Sequence, residues 1–174
     1  MRRRDVLAAA AGALASGCGY ALQGRGITTD PSIKRIGVPL FKDQSGKPGL
    51  DARVTQAVIE ELLKRGRFTV VKDSAGVDAV VDGEIVAWSV VPVNFSGDSG
   101  VTQATRYAIS MSARVVYRKI GQKEPIWQNA SFTQRDEYDM GENASSYFDR
   151  EDQTIERLSA AFARSLVAAM LEAF

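Results

Sequence analysis

Residues 106–118 read RYAISMSARVVYR, and the alternation of apolar and polar side chains in this stretch decides the fold class. Successive side chains of a β-strand point to opposite faces of a sheet, so this period of two predicts a strand with one buried and one open face. The apolar face consists of Tyr107, Ile109, Met111, Ala113, Val115 and Tyr117. The opposite face carries Arg106, Ser110, Ser112, Arg114 and Arg118.

Further strands are predicted on both sides of this segment. Gly121 lies in a turn, after which the next strand pairs with the first as a hairpin. Gly83 interrupts a long apolar strand and indicates a bulge or the close approach of another group. Residues 41–49 are rich in Lys, Asp, Ser, Gly and Pro and are predicted to be a loop. The predicted strands are residues 33–40, 68–71, 77–93, 106–118 and 125–136.

Two amphipathic helices complete the pattern. The first ends at Gly66, after two basic residues, as expected at the carbonyl end of a helix. Its apolar stripe is Leu50, Val54, Ala57, Val58 and Leu62. The second helix begins at about residue 149. Its apolar stripe is Ile155, Leu158, Phe162, Leu166 and Ala169. The order of elements predicts an α+β two-layer sandwich, with two helices on one face of a mostly antiparallel sheet of about four strands.

The first residues have the layout of an export signal. Arg2, Arg3 and Arg4 precede residues 6–15, which are only Ala, Leu, Val and Gly. This run is about half of the roughly 20 residues that span a bilayer, so a permanent transmembrane anchor is disfavoured. Residues 1–17 are therefore predicted to be a lipoprotein signal peptide, with Sec and twin-arginine export both left open.

Cys18 is predicted to carry a lipid anchor. Residues 14–18, LASGC, resemble the lipobox of bacterial lipoproteins, and the only cysteine of the chain cannot form an internal disulfide. Residues 18–32 are then a lipidated tether, and residues 33–174 form a single domain. By resemblance to the lipoprotein sorting rule, Gly19 after the cysteine favours anchoring in the outer membrane, on its periplasmic face.

The composition argues against an enzyme. The chain has no histidine, so the commonest general base and the commonest metal ligand are both missing. No metal site, catalytic residue or cofactor is predicted. Asp136, Glu137 and Asp139 form an acidic cluster that is more typical of a solvated loop than of a paired-carboxylate hydrolase or a calcium site. The net charge is +1, whereas nucleic-acid-binding proteins are typically strongly basic.

The polar face of the 106–118 strand is the candidate binding surface. Arg106, Arg114 and Arg118 lie on it, with Lys119 beyond, and guanidinium groups bind phosphate in a bidentate way. An exposed strip of this kind suits an anionic lipid head group or acidic residues of a partner. The alternative is a solvated face of scattered arginines held in salt bridges.

Several segments together resemble a known family of envelope proteins. They are CGYAL (18–22), IGVPLF (36–41), DQS (43–45), PGL (48–50), VTQAV (54–58), RG (65–66) and DAVVDGEI (78–85). They are similar to the LptE family of lipopolysaccharide-assembly lipoproteins. The resemblance implies an outer-membrane lipoprotein that plugs the LptD β-barrel, assists its assembly and binds lipopolysaccharide. Basic residues bind lipopolysaccharide in the family, and the candidates here are Arg106, Arg114, Arg118 and Lys119.

A second interpretation stays open at this point. Other periplasmic lipoproteins share a strand, a loop ending in Ser and a helix closing with Arg-Gly. Among them are activators of peptidoglycan synthases and the curli-export family. A protein of that kind would be an adaptor for a peptidoglycan synthase or a secretion pore, and it would need no contact with lipopolysaccharide.

Overall fold

The computed structural model describes residues 30–96, 103–139 and 144–172. The predicted signal peptide and the predicted lipidation site, Cys18, fall outside these residues. The elements, in chain order, are β1 (Arg35–Gly37), β2 (Lys42–Asp43), α1 (Leu50–Lys64), β3 (Thr69–Val71), β4 (Ala79–Ser96), β5 (Gln103–Lys119), β6 (Trp127–Asp139) and α2 (Ala144–Glu172).

The α+β class is confirmed, but the sheet is larger and more mixed than expected. It has six strands in the order β3-β1-β4-β5-β6, with β2 also paired to β4. The strands β4, β5 and β6 are antiparallel neighbours. In contrast, β1 pairs in parallel with β3 and β4, and β2 pairs in parallel with β4. The expectation of about four mostly antiparallel strands was wrong because α1 carries the chain back across the sheet, and such a crossover makes the flanking strands parallel.

Strand β2 lies inside the segment that its composition predicts to be a loop. Phe41, immediately before β2, is buried with 1% of its surface exposed. Its backbone N–H donates to Thr55 Oγ1 of α1 at 3.0 Å, and its ring lies against Gly83 of β4. The Thr55 hydroxyl also donates to the Asp51 carbonyl oxygen at 2.7 Å. Phe41 therefore joins the helix layer to the sheet, and Gly83 marks the close approach that the sequence indicates.

The core lies between the two helices and one face of the sheet. The predicted alternation of β5 is confirmed, since Ile109, Met111, Ala113, Val115 and Tyr117 are all buried. The first four residues of the predicted α2 stripe are buried too, and Val167, off that stripe, is buried with them. Phe162 of α2 meets Phe132 of β6 edge to face, with ring centroids 5.4 Å apart. This contact, with the buried α2 stripe, places α2 on the same face of the sheet as α1.

Asp78 holds the start of β1 against the start of β4. Its Oδ2 accepts the backbone N–H groups of Lys34 and Arg35, each at 2.8 Å. Its own N–H donates to the Arg35 carbonyl oxygen at 2.9 Å. The two N–H groups, Arg35 first, lower the pKa of the Asp78 carboxyl below its usual value. This carboxylate thus stabilises the parallel β1–β4 pairing in its ionised form.

We expect Gly83→Ala to destabilise the fold by about 1–3 kcal/mol, the usual cost of overpacking a filled core. A Cβ at this position would lie well inside van der Waals contact with the Phe41 ring. Urea unfolding of Gly83→Ala, of Phe41→Leu and of the double variant measures the loss of unfolding free energy in each. Because the smaller side chain makes room for the new methyl group, the double variant should lose less than the sum of the two single losses. Simple additivity would contradict the contact.

We expect Asp78→Asn to lower the stability of the fold at neutral pH, and the difference from wild type to shrink in acid. The folded pKa of Asp78 is lowered, so its ionised form contributes stability above the ordinary value of 3.8. That contribution is lost as the pH falls through the lowered folded pKa. Thermal unfolding from pH 7 to pH 2 measures this, with Glu124→Gln, an exposed carboxylate of the β5–β6 turn, as control. An equal difference at every pH would contradict the role of the charge.

Candidate functional site

The face of β4, β5 and β6 that points away from the core carries ionic side chains of both signs. On β5 these are the even-numbered residues, as the alternation predicts, and the two neighbouring strands add carboxylates opposite them. No helix of the described ranges packs on this side. We call this surface the charged face, and it consists of Asp82, Glu84, Arg106, Arg114, Arg118, Arg135, Glu137 and Asp139.

Arg114 and Arg118 form the first part of the site, and each has a carboxylate on β4. Arg114 lies directly opposite Glu84, and its Nη1 is 2.6 Å from Glu84 Oε2. Arg118 Nε is 3.1 Å from Asp82 Oδ2. Glu84 also accepts a hydrogen bond from Gln44 Nε2 at 2.6 Å. The two arginines, four residues apart on one strand, lie about 13 Å from each other.

A shallow pocket of about 410 Å³ opens beside Arg114. Its apolar part includes Pro39, Leu40 and Val116, and its charged part includes Lys42 and Glu84. Leu40 is 60% exposed, so the pocket offers an apolar contact next to a guanidinium group. The combination suits a ligand with both an anionic group and a nonpolar portion.

Lys119 lies apart from these arginines. Its Nζ donates to Asp30 Oδ2 and, at 2.7 Å, to Ser32 Oγ. The hydrogen bond from Lys119, with those from Ser32, holds the pKa of the Asp30 carboxyl well below its usual range. Nearby, burial and then the Asp30 charge raise the pKa of Tyr117 to about 12. Lys119 therefore fastens the start of the domain to the end of β5.

Arg106 lies eight residues from Arg114 along β5, about 26 Å away, at the other end of the charged face. Its Nε is 2.7 Å from Asp139 Oδ1. This hydrogen bond lowers the pKa of Asp139 and raises the pKa of Arg106. The four predicted cations therefore occupy three separate places, and the structure brings together only Arg114 and Arg118.

Arg106 lines a cleft of about 610 Å³ with two arginines that the sequence analysis did not single out. Arg150 Nη1 donates to the Asp139 carbonyl oxygen at 3.1 Å. Arg157 Nε is 3.2 Å from Asp136 Oδ2. Arg150 and Arg157 are seven residues apart, two turns of α2, and this spacing was the only available signal that they share a face. Three guanidinium groups thus surround one opening.

The acidic residues of this region are part of β6, not of a loop. Asp136, Glu137 and Asp139 fall within the strand, and each is ion-paired with an arginine. Within the described ranges, no group of three or more acidic residues is arranged to hold a metal ion. An anion that approached these arginines would compete with the carboxylates already paired with them.

Neither helix within the described ranges is long and apolar enough to cross a membrane. The predicted lipidation site, Cys18, lies outside those ranges, so its geometry is not part of the site.

Solved structures share this fold at low sequence identity. A protein from Xanthomonas campestris matches with a TM-score of 0.51 and 10% identity, over 83% of this chain and 90% of its own. A hypothetical protein from Chlamydia trachomatis matches with a TM-score of 0.50 and 13% identity, over 81% and 99%. The rare lipoprotein B from Shewanella oneidensis gives a TM-score of 0.45 and 13% identity, over 79% and 95%.

No curated protein sequence matches the chain. The family model for LptE, lipopolysaccharide-assembly, matches residues 33–170, which include every helix and strand described above except the last two residues of α2. The chain therefore belongs to the LptE lipopolysaccharide-assembly family.

Proposed function

We propose that this protein is an outer-membrane lipoprotein that binds and plugs an LptD-like β-barrel and helps assemble lipopolysaccharide at the outer membrane. The observation that carries the proposal is the LptE family match over residues 33–170. In this proposal residues 1–17 are removed, Cys18 is lipidated, and residues 18–32 tether the domain to the periplasmic face of the membrane. In this proposal the protein acts by binding. It catalyses no reaction, uses no cofactor and has no nucleic-acid partner.

The charged face supplies the proposed contact with lipopolysaccharide. Arg114 and Arg118 lie on one face about 13 Å apart, a spacing that suits two anionic groups of a single large ligand. Each arginine side chain is more than two-fifths exposed, so an arriving phosphate can reach it. Arg106 extends the same surface toward the cleft that it lines with Arg150 and Arg157. Lys119, held by Asp30 and Ser32, is the least exposed of the four at 26% and serves as a peripheral contact.

The carboxylates already paired with these arginines determine how an anion can bind. An anion approaching Arg114 must displace Glu84 from Nη1 or use the other nitrogens of the guanidinium. Exposed ion pairs contribute about 0–1 kcal/mol each, so exchanging one carboxylate for a phosphate costs little. A ligand with several phosphates can make several such exchanges at once. The face is thereby selective for multiply charged ligands over single anions.

We expect the full-length protein, extracted from the membranes of its own host and affinity-purified, to retain a large β-barrel protein in near-equal amount. Mass spectrometry of the purified material identifies the partner, and the intact mass of the protein reports the lipid on Cys18. A Cys18→Ala variant is the matched control, because it should lose the lipid mass and leave the membrane fraction while keeping its fold. Recovery of a peptidoglycan synthase or a secretion pore without a barrel would instead support the adaptor function.

We expect the triple change of Arg106, Arg114 and Arg118 to Gln to weaken binding of purified lipopolysaccharide at least about tenfold. Charge-assisted hydrogen bonds contribute about 1.5–3 kcal/mol each, and the change removes three cations that can make them. Gln avoids placing new carboxylates beside Asp82, Glu84 and Asp139, so the circular dichroism spectrum should stay unchanged.

The matched control for this triple change is Arg67, Lys72 and Arg164 changed to Gln, which removes the same charge from exposed positions elsewhere. Binding is measured by titration of lipopolysaccharide in detergent at fixed ionic strength. Equal weakening by both sets would mean that only net charge matters, and would overturn the assignment to the charged face.

A further inference from the structure

Leu40 is exposed on a segment of backbone that is anchored on both sides. Val38 is buried, and its N–H donates to the Val71 carbonyl oxygen at 2.8 Å. Phe41 is also buried, and its N–H is bound to Thr55 Oγ1. Pro39, directly before Leu40, restricts the backbone further. The Leu40 side chain is therefore an apolar group that the fold itself holds in contact with solvent.

Leu40 forms an apolar wall of the 410 Å³ pocket together with Pro39 and Val116. A single exposed leucine on a convex surface is ordinary, but this one lies in a concave opening beside charged groups. Small-molecule sites have volumes of about 300–1,000 Å³, so the pocket is at the small end of that range. A partner's helix, about 10 Å across, would cover the opening without entering it. The pocket therefore suits part of a small ligand.

The pocket also holds a cation that has no partner. The carboxylate of Glu84 is ion-paired with Arg114. The carboxylate of Asp82 is ion-paired with Arg118. Lys42 is exposed, and its ammonium group pairs with no residue in the described parts of the chain. With three cations and two carboxylates, this region has an excess of one positive charge, which favours an anionic ligand.

Lys42 and Arg114 lie in one row across three strands. Lys42 of β2 is opposite Glu84 of β4, and Glu84 is opposite Arg114 of β5. Because neighbouring strands lie about 5 Å apart, the backbones of the two cationic residues are about 10 Å apart. Both side chains are long and line the same pocket, so both can reach one anion bound there.

Arg114 can bind an anion without losing Glu84. Both oxygens of Glu84 are engaged, Oε1 by Gln44 Nε2 and Oε2 by Arg114 Nη1, each at 2.6 Å. Nε and Nη2 of Arg114 donate to no residue that the structure describes, and the side chain is 57% exposed. Two neighbouring N–H groups of a guanidinium bind phosphate in a bidentate way. A phosphate therefore has donors available while the ion pair stays in place.

We propose that this pocket binds the junction between a phosphate group and an alkyl chain. Lys42 and Arg114 bind the phosphate, and the first methylene groups of the chain pack against Leu40, Pro39 and Val116. The apolar wall makes the site selective for an amphiphile over free phosphate, because burying methylene groups adds binding free energy. For its natural ligand the inference rests on the proposed function, since lipopolysaccharide has both phosphates and acyl chains.

The test is an NMR titration of the full-length chain in neutral detergent, with ethyl phosphate and with hexyl phosphate. Hexyl phosphate has four more methylene groups, which should strengthen binding about tenfold if they are half-buried. The amide signals of residues 40–42 and 114–116 should shift. Hexyl glucoside, which has the chain without the anion, should leave these signals unchanged. Titration of each ligand into detergent alone corrects for uptake by micelles.

Two variants separate the apolar wall from the cation. Leu40→Ser should lower the affinity for hexyl phosphate to that for ethyl phosphate, and leave the affinity for ethyl phosphate unchanged. Lys42→Gln should weaken both by about tenfold or more, because it removes a charge-assisted hydrogen bond. The matched controls are Leu63→Ser, at an exposed leucine of α1, and Lys72→Gln, at an exposed lysine after β3. Both controls should preserve both affinities.

Three results would overturn the inference: equal affinity of the wild type for the two phosphates, equal effects of Leu40→Ser and Leu63→Ser, or no effect of Lys42→Gln. Titration of purified lipopolysaccharide into the same variants distinguishes this failure from failure of the proposed function. Lipopolysaccharide binding without any dependence on chain length or on Leu40 overturns the inference alone. Chain-length dependence that Leu40→Ser abolishes, without lipopolysaccharide binding, supports the pocket and overturns the proposed function.

Discussion

The contact between the Phe41 ring and Gly83 is the constraint on which the rest of the sheet depends. The ring occupies the place where a side chain of β4 would otherwise stand, and the Phe41 N–H is bound to Thr55 of α1. Strand β2 follows immediately and pairs with Glu84 and Ile85, the next two residues of β4. The contacts of this one residue thus link the β2–β4 pairing to α1. Beyond Ile85, the described parts of the chain place no strand on that side of β4.

The charged face is balanced, and this property shapes the way it can bind. Arg106, Arg114 and Arg118 each have a carboxylate within 3.1 Å, so in the proposed function the surface would attract anions weakly at long range and bind them by exchange of partners at short range. The lowered pKa of Asp139 keeps its carboxylate ionised beside Arg106. In the proposed function, such a surface would discriminate by the arrangement of charges, whereas a purely basic strip would bind any polyanion.

Local periodicity predicted the features that depend on local geometry. The alternation of β5 and the apolar stripe of α1 were read correctly because side-chain direction repeats every two or 3.6 residues. The parallel pairing of β1 and β3 and the short β2 were missed because they depend on contacts between distant segments, such as Phe41 with Gly83. For the candidate site, the face that carries Arg114 and Arg118 was predictable. The carboxylate partners were not, since the register that places Glu84 opposite Arg114 has no local signal. Arg150 and Arg157 were missed because α2 meets the end of β6 only after folding.

The fastening of Asp30 and Ser32 to Lys119 has a mechanical consequence. Lys119 ends β5 opposite Ala79, so Asp30 and Ser32 join the domain at one pole, and β4 extends to the other pole, about 55 Å along the strands. A pull between Asp30 and the far end of β4 would therefore run parallel to β4 and β5. It loads their ladder in shear, so that many hydrogen bonds resist together, where a perpendicular pull would open them one at a time.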